Sequence, residues 1–358
     1  MIIEPPSPKK DVQSWPKWAV GVFVILSIVL VYVAKWGPYS HKIPAVAHSH
    51  TLGPSFITRT QNHPPQPSWR SAWHYGWVYF QSIWVALIAG LMVGTGVETL
   101  LPPGWLTQKL GQMGWKSRLF ASMAAIPSMM CTCCSSPIVV NLKRQNVSTG
   151  AVLSYWIANP ILNPATIVFM GLVLGWNWAA LRIVLGIILI WVVGILGDRW
   201  LPDGVDQRAL VGRPPAPLGR HVPNSQIITQ FARSFGRLVI RLIPEYIVLV
   251  MVLGAARAWL FPAMNPATGH AWWLIVILTL AGTVFVIPTA GEIPVIAVLM
   301  QYGLGLSGAG ALMLTLPAIS LPSAAMVNQV IPAKILTKVG AVVAVFGLLS
   351  GVAAHVLF

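Results

Sequence analysis

Runs of about 20 apolar residues, nearly free of charge, recur along this chain and restrict it more than any other feature. Such a run crosses the ~30 Å hydrocarbon core of a bilayer as a helix. Of the 358 residues, 56% are hydrophobic and 9% charged, against about 25% charged in an ordinary soluble domain. A soluble core of this size would leave much of that apolar sequence exposed. The chain therefore reads as a multi-pass helical membrane protein.

The charges sort the spans. The net charge of +15 comes from Lys and Arg residues gathered between the apolar runs, which is the positive-inside pattern and not a nucleic-acid footprint. Nucleic acid is excluded as a partner. Membrane lipid and a small solute are the expected ones, and a homo-oligomer is compatible with the sequence. Lys9, Lys10 and Lys17 precede the first run, residues 18–36, and place the N-terminus in the cytoplasm. No small-residue cleavage site follows that run, so it reads as an uncleaved span in a cell inner membrane. Residues 37–74 then form an outside loop rich in Pro and His, with His41, His48, His50, His63 and His74 at spacings that match no defined metal site.

The second span covers 75–101, and Lys109, Lys116 and Arg118 follow on the inside. Residues 119–142 are apolar but carry positive charge at both ends. Their middle holds Pro127, Cys131, Cys133, Cys134 and Pro137. Two prolines and a polar centre suit a re-entrant hairpin better than a straight span, since irregular backbone at membrane depth must be buried or line a cavity. Residues 148–178 cross outward, broken at Asn159-Pro160 and Asn163-Pro164, and 179–200 return. A polar linker follows. Arg233, Arg237 and Arg241 lie at four-residue spacing and suggest an interfacial helix on anionic headgroups. Spans at 243–261, 306–330 and 339–356 complete the chain, with a second broken stretch at 271–302 that holds Pro288, Glu292 and Pro294. Arg257 is expected to snorkel to the outer surface.

The two halves share an order of features. Ile126-Pro127 matches Ile287-Pro288, and four residues after each proline stand Cys131 and Glu292. Ser148 to Ala151 matches Ser307 to Gly310. The paired breaks Pro160 and Pro164 match Pro317 and Pro322. The charge map starts the first repeat outside and the second inside. The expected fold is thus an all-α polytopic membrane protein, an inverted repeat with about seven transmembrane helices plus two re-entrant helical hairpins. Residues 1–74 carry the first span and loop, 75–200 the first repeat, 201–241 the basic linker and 242–358 the second repeat.

Chemistry concentrates in the breaks. Three cysteines within four residues are no disulfide framework, but thiolates are soft ligands and suit soft metal ions or trivalent arsenic. The alternative is that they are small buried hydrophobes. No static metal site and no cofactor are expected. Glu292 is an acid in an apolar stretch, a functional residue by default and a candidate proton carrier. Asn159 and Asn163 either meet a solute or cap helix halves, and Ser320 holds the comparable place in the second half.

The run Pro127…Cys131-Thr132-Cys133…Pro137, the run Asn159-Pro160-Ile-Leu-Asn163-Pro164 and the run Gly291-Glu292-Ile293-Pro294 together resemble the ArsP/YraQ-like predicted permeases. The resemblance covers about residues 75–350 and leaves the first span outside it. It implies an inner-membrane permease, some relatives of which export trivalent organoarsenicals, and Cys131 and Cys133 match the family's cysteines. Cys134 departs from a position that is often small. No Gly-x-x-x-x-Gly-Lys-Ser run is present, so a proton gradient is the expected energy source. A transporter of a small sulfur compound is the nearest alternative. A membrane thiol oxidoreductase is the competitor from another class; read on the Cys131–Cys133 pair, the run lacks the Cys-x-x-Cys spacing such enzymes use.

Overall fold

The computed structural model describes residues 17–53, 55, 68–100, 113–200, 227–261 and 271–358. Lys9, Lys10, His63, Pro102, Lys109, Pro262 and the linker at 201–226 lie outside them, as do the side chains of Arg241 and Glu245. Among the described residues the architecture is helical, and seven helices are long and apolar enough to cross a membrane. The protein is an all-α, multi-pass membrane protein. Ile25, Ile28, Val184, Val248 and Val352 stand half or more exposed on the outer faces of these helices, as suits surfaces solvated by lipid.

Helix α1, Lys17–Val31, runs through a π-helical turn, Tyr32–Trp36, into α2, Gly37–Ser49. Residues 37–49 are therefore helical and not the expected loop. Pro38 sits in the first turn of α2, directly after the π turn, and supplies no N–H to the helix it continues. The wider π turn absorbs the register change before it. Helix α3, Trp69–Thr99, begins at Ser68, whose hydroxyl accepts from Ser71 N at 3.1 Å.

The two interrupted stretches expected as re-entrant hairpins are here termed dips; the first consists of α4, Trp115–Ala125, a 3-10 turn at Ile126–Ser128, and α5, Thr132–Arg144. Next come α6, Thr149–Ile161, α7, Pro164–Val173, and α8, Trp176–Trp200. Both outer ends of the dip share one level. Arg118 on α4 pairs with Asp198 on α8 at 3.2 Å, Asp198 accepts from Gly150 N at the start of α6 at 2.6 Å, and Lys143 on α5 donates to Thr149 at 2.9 Å. The tip lies near the far end of α6, where Ser128 bonds Asn159. The pair α4–α5 thus folds back along α6.

The second half begins with α9, Ile227–Leu260, one helix of 34 residues. Arg233 and Arg237 lie in its first three turns, so the basic stretch is continuous with the span. Arg257 also departs from expectation. It is buried, donates to Ser71 Oγ at 3.0 Å and lies over the Tyr75 ring at 5.2 Å, because α3 packs along α9 and offers an aromatic face there. Then follow α10, Trp272–Val284, α11, Glu292–Gln301, α12, Leu306–Ala318, α13, Leu321–Val327, and α14, Ala333–Leu357.

The halves pack alike. Helices α4 and α5 both lie on α6, as α10 and α11 both lie on α12, and α6 packs on α8 as α12 does on α14. Small residues permit the closest of these approaches. A methyl on Gly150 would meet the Gly194 carbonyl, and one on Gly310 would meet the Ser350 carbonyl. Contacts between halves are exchanged too: α5 touches α13 and α11 touches α7. Each dip therefore leans on the broken helix of the other half.

Candidate functional site

Four chain interruptions meet at the centre. Cys131 and Thr132 come from the first dip, residues 287–290 and Glu292 from the second, Pro160 and Thr166 from the α6–α7 break, and Pro317 and Ser320 from the α12–α13 break. They enclose one small cavity, with room for about one water molecule. The conformation described is closed around its centre.

Each interruption follows from local sequence. Pro164 starts α7 behind Asn163, whose Oδ1 accepts from Thr166 N at 3.2 Å. Ser320 starts α13 in a reciprocal pair with Ser323, with Pro322 in the first turn. At the dip tips Met129 and Ala290 hold left-handed backbone at φ 50° and 64°, a region that costs non-glycine residues about 1–2 kcal/mol. Each lies two residues ahead of the matched pair, Cys131 and Glu292.

The unwound backbone finds side-chain partners, as burial in a membrane requires. Tyr75 and Tyr79 on α3 donate to the carbonyls of Val286 and Ile287 at 2.6 and 3.2 Å. Trp156 donates to Thr132 O at 3.1 Å, and Trp36 on the π turn donates to Pro127 O at 2.9 Å.

Glu292 is 1% exposed and accepts from Arg182 of α8 at 2.7 Å. Arg182 is itself fully buried and donates to Pro160 O at 2.8 Å and Ile161 O at 3.0 Å. Those are among the orphan carbonyls at the C-terminus of α6. Glu292 lies in the first turn of α11. A cation thus faces a negative helix end and an anion occupies a positive one, with the two joined. The sequence reading found Glu292 and missed Arg182, although an arginine within an apolar span is the same kind of signal.

Lys35 was missed as well. It lies in the first span, is 4% exposed, and donates to Thr289 Oγ1 at 2.8 Å on the wall of the second dip. Tyr39, one helical turn on, reaches Thr289 O at 3.4 Å. The N-terminal helix therefore holds both tips, the first through Trp36 and the second through Lys35 and Tyr39.

All three thiols are free and buried. Cys131 begins α5 and lines the cavity, Cys133 contacts Ser320 Oγ at 3.7 Å, and Cys134 lies behind them. Cys131 and Cys134 bring their Sγ atoms to 3.2 Å. These two are themselves in Cys-x-x-Cys register at a helix N-terminus, so the spacing argument against a redox pair, taken on Cys131 and Cys133, does not hold. Asn159 is not a cavity wall. It donates to Tyr155 O at 2.9 Å and accepts from Ser128, tying the first tip to α6. Asn163 caps α7, and its Nδ2 has no partner. Pro137 lies in α5 against α3, where a methyl on Gly94 would sit 2.9 Å from the Pro137 carbonyl. Pro288 closes the turn to Gly291 by accepting its N–H at 2.9 Å, and Pro294 lies in the first turn of α11.

The family described as a predicted permease, ArsP_1, matches the chain over residues 18–158 and 120–356. This chain belongs to that permease family. The match reaches residue 18, so the first span lies within the family and not outside it as the sequence motifs alone suggested. The UPF0718 protein YraQ of Escherichia coli strain K12 is 38% identical over 336 residues, covering 93% of this permease and 94% of that protein. The UPF0718 protein MJ0584 of Methanocaldococcus jannaschii is 21% identical, over 76% and 92% of the two chains. No solved structure matches the permease.

Proposed function

We propose that this permease is a secondary transporter of the cell inner membrane, with its N-terminus in the cytoplasm, that moves a small thiol-seeking solute through the central cavity. The observation that carries this reading is the meeting of both dips and both broken helices at Cys131, Glu292 and Ser320. Dips that enter and leave by one face and two halves of inverted topology would let the same cavity open to either side. A trivalent organoarsenical is the solute best suited to Cys131, with Cys133 and Cys134 behind it. Proton coupling through Glu292 requires the Arg182 pair to open, so solute release and proton uptake would share one event. A small sulfur compound is the alternative cargo.

Everted vesicles test this. Accumulation of trivalent methylarsenite by wild type, abolished by Cys131→Ser, is the expected result. Accumulation that survives the substitution demotes the cysteine to packing. No accumulation with folded protein removes the arsenical assignment.

One observation favours a second reading, a membrane thiol oxidoreductase: the 3.2 Å approach of Cys131 and Cys134 Sγ. Thiol trapping during turnover separates the two. Reversible oxidation of that pair supports redox work, and thiols that stay reduced while solute moves support transport alone.

A further inference from the structure

We infer that the central cavity takes a small anion carrying a soft atom, held by Lys35 and the donor groups around the breaks, with its soft atom toward Cys131. The inference rests on the cavity being the solute site, and within the transport reading it favours the sulfur-compound cargo over the arsenical, which is uncharged at neutral pH.

The charges at the centre do not balance. Arg182 and Glu292 neutralise each other at 2.7 Å. Lys35 remains, buried behind the Thr289 wall of the cavity, where it donates to the Thr289 hydroxyl at 2.8 Å and lies over the Tyr39 ring at 5.6 Å. Among the described residues no carboxylate lies within ion-pair distance of it. A buried ammonium without an anionic partner carries a desolvation cost of several kcal/mol, which a bound counter-ion would offset. The hydrogen-bonding groups lean the same way. Asn163 Nδ2 is a fully buried donor without a partner at the start of α7, whose Thr166 lines the cavity. Helices α5, α7 and α11 begin at the cavity, through Thr132, Thr166 and Glu292. Their N-terminal dipoles favour negative charge; the Glu292 carboxylate stands in the first turn of α11, while on α7 Thr166 N is already capped by Asn163. The carboxylate on the cavity wall, Glu292, is already occupied by Arg182. Cys131 supplies the single soft contact on the wall, which selects among anions of equal charge.

The test uses purified full-length protein in detergent, with thiosulfate and sulfate as probes of equal charge and similar shape. Thermal unfolding followed by tryptophan fluorescence and calorimetric titration are the readouts. In wild type both anions should raise the melting temperature saturably, thiosulfate at lower concentration, and the effect should persist in 0.5 M sodium chloride, which about a 4–5 Å Debye length would erase at an exposed site. Lys35→Met should weaken binding of both at least tenfold, each response being read against the variant's own melting temperature without anion. Lys35→Arg should retain binding. Cys131→Ser should bring thiosulfate down to the level of sulfate.

Absence of any saturable response in wild type overturns the inference, as does an equal response in Lys35→Met. If Lys35→Met fails to fold, wild type and Lys35→Arg still decide by the salt-resistant response. Loss of the anion response alongside Cys131-dependent methylarsenite accumulation would sink this inference and leave the transport reading. An intact anion site with no Cys131-dependent transport would do the reverse.

Discussion

Arg182 serves three groups with one guanidinium: two carbonyls at the broken end of α6 and the Glu292 carboxylate at the start of α11. Removing one partner of such a pair strands the other charge in the interior, at a cost of about 3–5 kcal/mol. Glu292→Leu should therefore lower the melting temperature sharply, and so should Arg182→Leu. The double substitution should recover much of the loss in thermal unfolding, falling short by what the two α6 carbonyls cost when unpaired. A double variant as unstable as the sum of the singles would show that the pair is not the interaction at stake. The cysteines make a second prediction. Treatment with diamide, which takes up two electrons and two protons, should join Cys131 and Cys134 and stop solute movement. Cys134→Ser should keep activity under the same treatment, and inhibition of both proteins alike would contradict it. Glu292 was legible because an acid in an apolar run stands out. Lys35 and Arg182 were equally visible by that criterion, but each lay within a run already assigned as a plain span, and their partners are more than 100 residues away. Distance in sequence, not weakness of signal, hid them.

The breaks themselves could be read from local chemistry. Proline removes a helical donor wherever it stands, and Pro127, Pro160, Pro164, Pro288 and Pro322 do lie at or beside interruptions, whereas Pro137, also expected as a break, lies inside the continuous α5. Continuity was harder. Residues 37–49 hold prolines that suggest a loop, yet they are helical behind a π turn, and the helix expected around Arg233 and Arg237 runs on without a break into the following span. The contact of α3 with α5 was not legible either, since it depends on which face each glycine takes. A methyl on Gly90 would overlap the Cys134 carbonyl. Gly90→Ala should push the cysteine helix away, cost about 1–3 kcal/mol by overpacking, and reduce transport more than stability. Gly21→Ala, with no heavy atom within 4 Å of the added carbon, should stay within about 0.5 kcal/mol of wild type. Equal effects at the two sites in melting and vesicle assays would contradict the close approach.

Across the whole molecule, each dip leans on the broken helix of the other half, and the N-terminal helix bridges both tips through Trp36, Lys35 and Tyr39. The order of features in the two halves was legible; their meeting in one cavity was not, since sequence order says nothing of which tips face each other. A cavity sized for about one water must open for a solute to pass. The most direct measurement is side-specific alkylation of Cys131 in a Cys133→Ser, Cys134→Ser variant, using a membrane-impermeant maleimide on right-side-out and everted vesicles. Labelling from both faces, reduced from both by added solute, is the expected result. Labelling from one face alone under every condition, or from neither, would contradict a central site with alternating access.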